Sequence, residues 1–494
     1  GIGAARLGFH YDDSRWVHEL AGADWPAVWK AMRDYIPGRP LFVFWQYLVF
    51  RVAGDAAGRP EALHLIQAAI DALVVAVFFL VLRRVRVPAP LAILAAGLFA
   101  FWPVHGETHF WNTSVVGNLI TTLFVLVFLL TSAALAGFWN EPPARGWGLR
   151  AVDLAAFAGA MLTYDQVFLV LAGTLWLRAR RALAAHLPHA AVVGLFLWPK
   201  LTGPPGKGPS LQAGSAGMLA GNAVQSIAIT IGSVWSKTVA PLYERATRGD
   251  WLLALVVSAA LAGLALVLWV RSPAKGEPIP RRTLFGLGLL FWAAAYVPGW
   301  LWHLSPRTHY LPSIGLFAAV AVWMAWALEQ IPLRAGRALV LAALGGLIFL
   351  FAGATRGERR YWEDAFHAKK QLFTELKRDL ERAEVLVLEN FPTSLGPAHL
   401  IYPQDASYAA GRFFPRSLHP RFAGDISGVP APGGVFLYTY AYFHGSEAFR
   451  YFPASNPLLV RFTGWEGGRM RFEKRAAPAA PYEVMSSRAI PGEG

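Results

Sequence analysis

The sequence predicts a polytopic α-helical membrane protein with a small C-terminal soluble domain, α/β or mainly β, and three observations carry that reading. The 494-residue chain is 55% hydrophobic with mean hydropathy +0.38, and only 15% of it is charged. A water-soluble chain carries about a quarter charged residues. The apolar residues gather into runs long enough to cross a bilayer. The surplus of Lys and Arg, a net charge of +14, lies mostly in short loops between those runs, as the positive-inside rule requires. No nucleic-acid partner is therefore read from it. Cysteine is absent, which excludes a disulfide framework, a thiol nucleophile and a Cys-based metal site.

Residues 1–59 read as an aqueous loop. It holds the acidic pair Asp12 and Asp13, a Trp-rich amphipathic stretch (Trp16, Trp25, Trp29), and a short apolar run to Phe50. That run fits a helix lying near the interface. The chain opens on Gly1 in polar sequence with no cleavable signal pattern, so a first span preceding it is expected. About ten spans follow. The first, about 61–82, ends in Arg83-Arg84-Val85-Arg86, which marks the cytoplasmic side and places the acidic loop outside. The second, about 89–104, returns outward to His105-Gly106-Glu107. The third, about 115–137, runs inward to Arg145 and Arg150. Short runs at about 151–164 and 167–177 fit a helical hairpin around Asp165, with Arg178, Arg180 and Arg181 at its inner end. A sixth span, about 188–199, leads to a long outside segment, 200–250. The seventh (251–270), eighth (284–302), ninth (311–328) and tenth (338–354) complete the module.

After residue 355 the character changes. Residues 356–383 are highly charged, with Tyr361, Phe366, Leu372, Phe373, Leu376 and Leu380 spaced as one stripe of a surface helix. Short β-like runs follow at Val385–Leu388, Val435–Tyr440, Leu458–Phe462 and Met470–Phe472. The expected domains are thus 1–355 in the membrane and 356–494 outside it.

The clusters of mixed polar chemistry all fall on the face opposite the arginine-rich ends: Asp12/Asp13, His105/Glu107, Asp165, and His303/Arg307/His309. Asp71 alone lies deep in a span, where a charge is usually functional or partnered; a structural partner such as His64, two helical turns away, would account for it equally. Each cluster also has a plain reading, as a solvated turn, a helix cap or an interfacial anchor. His105 and Glu107 could also hold Mg2+ or Mn2+ with Asp13, since hard oxygen ligands suit those ions.

Tyr11-Asp12-Asp13-Ser14-Arg15-Trp16 resembles the acidic first-loop motif of the protein O-mannosyltransferase and aminoarabinose-transferase families, within the GT-C class of membrane glycosyltransferases. Arg39-Pro40-Leu41, His64-Leu65-Ile66-Gln67 and Phe101-Trp102-Pro103-Val104-His105-Gly106-Glu107 with Trp111 resemble the branch that carries tetratricopeptide repeats, and His309-Tyr310-Leu311-Pro312-Ser313 resembles its late element. The likeness covers roughly residues 9–355. It departs at His309 and Asp71, where that branch has Arg and His, and the repeats are absent.

The resemblance implies transfer of a sugar from a polyprenyl-phosphate donor, with inversion, in the outer face of a bacterial inner membrane. It implies Asp12 or Asp13 as base, Arg307, His309 and His303 at the donor phosphate, and His105, Glu107, Trp111, Asp165 and Asp71 in the substrate pocket. The partners would be that donor, membrane lipids and a protein or glycolipid acceptor. A transporter, a lipid flippase or a scaffold presenting the C-terminal domain is the rival reading. Transporters place ionisable residues at the midplane of broken helices, whereas here the polar clusters sit at one face.

Overall fold

A computed structural model describes residues 7, 20, 22–34, 39–54, 60–112, 114–136, 146–179, 186–202, 216–234, 251–271, 281–301, 306–380, 382, 385–389, 391–392, 394–396, 398–400, 429–431, 434–441, 446–453, 457–467 and 469–475. They divide into two units, Leu20–Arg360 and, with Leu7, Tyr361 onward. The protein is a multi-pass helical membrane protein with a C-terminal sheet domain. Among the described residues six helices are long and apolar enough to cross a bilayer, and four shorter apolar ones accompany them.

The first unit begins with α1 (Trp25–Asp34) and α2 (Pro40–Ala53). The sequence places both in the first loop. α1 buries Val28 and leaves Trp25 and Trp29 exposed, as an interfacial helix does. α3 (Pro60–Arg84) starts with Pro60 and Glu61 and ends with Arg83 and Arg84, so its charges match the helix dipole. It stops in a Schellman turn: Arg86 takes φ 67°, Val87 N–H reaches the Leu82 carbonyl at 2.9 Å, and Arg86 N–H reaches Arg83 at 3.0 Å.

α4 (Ala89–Ala100) is apolar on all sides and buried on all sides. It is the central helix. Gly97 lets it approach Leu261 of α11 (Trp251–Arg271) and Ile348 of α14 (Arg334–Glu375). Between α4 and α6 (Thr121–Ala136) the chain passes through a 3-10 turn at Pro103–His105, the short α5 (Gly106–Phe110), and a π-helical segment at Val115–Ile120. α7 (Trp147–Met161) and α8 (Phe168–Ala179) flank a second 3-10 turn, Asp165–Val167, followed by α9 (Leu187–Thr202) and α10 (Ala216–Val234).

α12 (Arg281–Leu301) and α13 (Tyr310–Gln330) cross most closely at two glycines. Small residues at such crossings let backbones meet. A Cβ on Gly315 would lie 2.5 Å from the Gly288 carbonyl oxygen and 2.6 Å from Trp292 N. Gly315→Ala is therefore expected to destabilise the protein by about 1–3 kcal/mol. Thermal unfolding in detergent checks this, and an unchanged midpoint would show that the crossing tolerates a methyl group.

The sequence reading needs three corrections here. Segment 200–250, expected as an outside loop, contains the 19-residue apolar helix α10. The tenth span and the surface helix are one uninterrupted helix, α14, 42 residues long. The stripe holds at Leu372, Phe373 and Leu376, which are buried, but its first part is shifted: Tyr361 is 38% exposed, and Trp362, Ala365 and Ala368 are buried.

In the second unit, α15 (Lys377–Leu380) follows α14. β1 (Val385–Glu389) then pairs in parallel with β7 (Pro457–Glu466), which pairs antiparallel with β8 (Arg469–Arg475). β2 (Ser394–Leu395) pairs with β3 (Ala398–His399), and β4 (Val429–Ala431), β5 (Gly434–Ala441) and β6 (Ser446–Pro453) form a second three-stranded sheet. All four β-like runs of the sequence are strands. Gln371 docks the helix on β8, its amide donating to the Met470 carbonyl and its carbonyl accepting from Met470 N–H.

Candidate functional site

The site is built on the segment 102–112, which three helices hold in place. α3 carries His64, Gln67 and Asp71 on one face, as spacings of three and four place them. Gln67 donates its amide to the carbonyls of Thr108 (2.5 Å) and Trp111 (3.2 Å). Its own carbonyl is 3.1 Å from His64 Nδ1, and Asn112 is 3.3 Å from His64 Nε2. One assignment satisfies all four contacts: His64 Nδ1–H donates to Gln67, and Nε2 accepts from the Asn112 amide. Asp71 is paired instead with His109, whose Nδ1 lies 3.1 Å away, and with the Tyr310 hydroxyl, which donates at 2.5 Å. Both partners come from other elements of the chain, not from the α3 helix that carries Asp71 and His64.

The segment's ends are equally constrained. Ser114 Oγ lies within hydrogen-bond reach of the carbonyls of Glu107, Thr108 and Trp111, closing α5. Gly106 packs against the end of the Glu358 side chain, which a Cβ there would have to displace. The π turn follows, and such turns cluster at functional sites. Within it Asn118 faces Thr108 Oγ1 at 3.4 Å.

Against this segment lies the 3-10 turn Pro306–His309, which leads into α13. Four side chains fix it. Arg307 N–H donates to Glu107 Oε2 (3.2 Å), and Gln166 donates to the Thr308 carbonyl (2.7 Å) and the Ala295 carbonyl (3.1 Å). Pro298 removes an N–H one turn further along α12 and so loosens the carbonyls behind it. Tyr296 OH meets His309 Nδ1 at 2.5 Å, and Ser313 Oγ donates to the His309 carbonyl at 2.6 Å. Ser313 Oγ is also 3.0 Å from His105 Nε2, so the fully buried His105 donates to it.

The turn presents Arg307 with its guanidinium stacked 4.6 Å over the Trp111 ring. A second arginine stands nearby. Arg39 precedes α2, bonds Asp165 Oδ2 at 2.7 Å, and lies 4.8 Å over the Tyr164 ring. Burial pulls the Arg39 guanidinium down. The charge and hydrogen bond of Asp165 outweigh that and hold it above its ordinary value, while the like charge of Arg307 opposes them. Each cation is laid on an aromatic face. A phosphate oxygen would accept charge-assisted hydrogen bonds from such guanidiniums.

The structure gathers Arg307, His309, His105, Glu107, Trp111 and Asp71 into one polar core, with Asp165 joined to it through Gln166 and Arg39. Asp12, Asp13 and His303 lie outside the described residues, so the proposed base, its neighbour and one phosphate histidine have no geometry here. Among the described residues, no group of three or more His, Cys, Asp or Glu side chains could hold a metal ion. His109, Tyr310, Gln67, Gln166 and Tyr296 were missed as site residues. The His105/His109 spacing of four and the Tyr164-Asp165-Gln166 run were the available signals.

No family model matches the chain, and no curated protein matches it. Among solved structures it is similar to ArnT from Cupriavidus metallidurans in the apo state, at 13% identity and TM-score 0.41, covering 84% of this chain and 82% of that one. It is also similar to the same protein bound to undecaprenyl phosphate, at 12% identity and TM-score 0.41, covering 93% and 90%.

Proposed function

We propose that this chain is a membrane glycosyltransferase that moves a sugar from a polyprenyl-phosphate donor to an acceptor hydroxyl, with inversion, at the outer face of a bacterial inner membrane. The single observation that carries the reading is the pair of guanidiniums, Arg307 on Trp111 and Arg39 on Tyr164, fixed on buried elements in a helical membrane protein. Arginine is the preferred fork for phosphate oxygens, and a prenyl phosphate brings its charge to the membrane protein from the lipid side. In the reaction the acceptor oxygen attacks the anomeric carbon opposite the phosphate. Its proton passes to the Asp12 carboxylate, and the electron pair of the breaking C–O bond leaves with the phosphate, whose growing charge the two arginines meet. The motifs of the first loop support Asp12 in that role.

The test is a purified protein in nanodiscs given a synthetic prenyl-phosphate hexose and a mixture of hydroxyl acceptors. Release of prenyl phosphate with an inverted glycoside is expected. Prenyl-phosphate sugars left intact with every acceptor class, by a protein that folds, would remove the reading.

Sidedness has its own test, made clean by the absence of native cysteine. Ser14→Cys and Ser455→Cys are both expected to react with an impermeant thiol reagent in intact spheroplasts. Protection of either until lysis would overturn the proposed orientation.

A further inference from the structure

The contact between Asp71 and His109 has one unused atom. The His109 side chain is 9% exposed, and its Nδ1 faces Asp71 Oδ2 at 3.1 Å. A carboxylate only accepts, so Nδ1 carries the proton and the orientation of the ring is set. The other oxygen of Asp71 takes the Tyr310 hydroxyl, which prevents the carboxylate from swinging away. His109 Nε2 is buried and makes no hydrogen bond among the described residues. Its neighbours are rings: His105 at 5.8 Å, Phe110 at 6.0 Å and Tyr310 at 6.5 Å between centroids.

Buried polar nitrogens are satisfied in the great majority of cases, and an exception calls for a reason. Three further facts bear on that reason. The ring is oriented by a carboxylate, an arrangement that fixes an imidazole for work at its second nitrogen. It lies on the same short segment as Trp111, which carries Arg307. That segment is held rigidly from behind by Gln67 and Ser114.

Resting on the glycosyl-transfer reading, we propose that His109 Nε2 is a binding atom for the lipid-linked donor, sharing a hydrogen bond with one of its oxygens, and that Asp71 is the positioning residue behind it. The shared chemistry is an oxygen that can exchange a hydrogen bond with an imidazole. A sugar hydroxyl would donate to the neutral ring, and a phosphate oxygen would accept from the protonated one.

Two substitutions separate this role from a structural one. An asparagine amide reaches the position of Nδ1, so His109→Asn keeps a contact to Asp71 and loses Nε2. A glutamine amide reaches the position of Nε2, so His109→Gln keeps the binding atom and loses the Asp71 contact. Full-length protein in nanodiscs would be titrated with two probes, prenyl phosphate without sugar and prenyl-phosphate hexose, with binding read by native mass spectrometry. His109→Asn is expected to bind at least about ten-fold more weakly, and His109→Gln to stay within a few-fold of wild type. Weakening on both probes places a phosphate oxygen at Nε2, and weakening on the hexose probe alone places a sugar hydroxyl there. Wild-type affinity in His109→Asn on both probes overturns the proposal, as does weaker binding by Gln than by Asn. Should the Asn variant not survive purification, Asp71→Asn is expected to weaken the same probe several-fold, and unchanged binding there overturns the proposal equally. If the wild-type protein binds neither probe, the donor reading itself fails and the assignment falls with it; wild-type binding that both variants keep removes His109 alone.

Discussion

Arg307→Ala lowers turnover with a prenyl-phosphate sugar by about 10²- to 10³-fold, the expected loss when one preorganised donor to a developing oxyanion is removed. The reason is geometric. The turn that carries Arg307 is bonded at Arg307 N–H, the Thr308 carbonyl and both the ring and carbonyl of His309, so the guanidinium needs no reorganisation as charge builds. An interaction that strengthens as the phosphate leaves appears in kcat more than in donor KM. Arg307→Lys keeps the charge but loses the planar fork and much of the stacking on Trp111, so it falls between wild type and alanine. Steady-state kinetics of the three proteins check the order, and wild-type kinetics in Arg307→Ala would place the phosphate elsewhere. Asp12→Asn gives the contrast in the same assay: transfer is lost while binding of the donor persists, because a base acts on the acceptor proton.

How much of this was legible in the sequence follows from the range of the interactions. Span existence depends on local hydropathy and arginine placement, so the apolar run expected at about 89–104 and the helix end at Arg83-Arg84 could be read directly, although that helix stops at Ala100. α10 was missed because the Gly-, Pro- and Ser-rich stretch before it gave the whole of 200–250 a loop-like composition. The break expected at 355 was a change in composition, but helix hydrogen bonds continue through polar residues, so α14 runs on to Glu375. Asp71 was recognised as a costly buried charge, yet its partner was sought on its own helix. Inside a membrane bundle the partners come across helix interfaces, and only packing brings His109 and Tyr310 to it. The π turn at Val115–Ile120 leaves no periodicity in six residues. Arg39 was visible as part of a motif, but its meeting with Asp165 spans 126 residues of chain.

That meeting gives the second large effect. Arg39 and Asp165 are 11% and 16% exposed in their side chains. Arg39→Ala removes the guanidinium from a mostly buried carboxylate and is expected to destabilise the protein by about 3–5 kcal/mol. Asp165→Asn, which retains an oxygen for Arg39, is expected to be milder. Stability alone would leave the pair's purpose open, since a buried ion pair can serve the fold as well as a ligand. Replacing both members separates the two. Apolar pairs of similar volume often match or exceed the stability of the ion pair they replace, so Arg39→Met with Asp165→Leu is expected to recover the unfolding midpoint that Arg39→Ala loses. Turnover is expected to stay at the level of Arg39→Ala, because the second phosphate fork is still missing. Recovery of both midpoint and turnover in the double variant would make the pair a structural clamp and leave Arg307 to meet the phosphate without it.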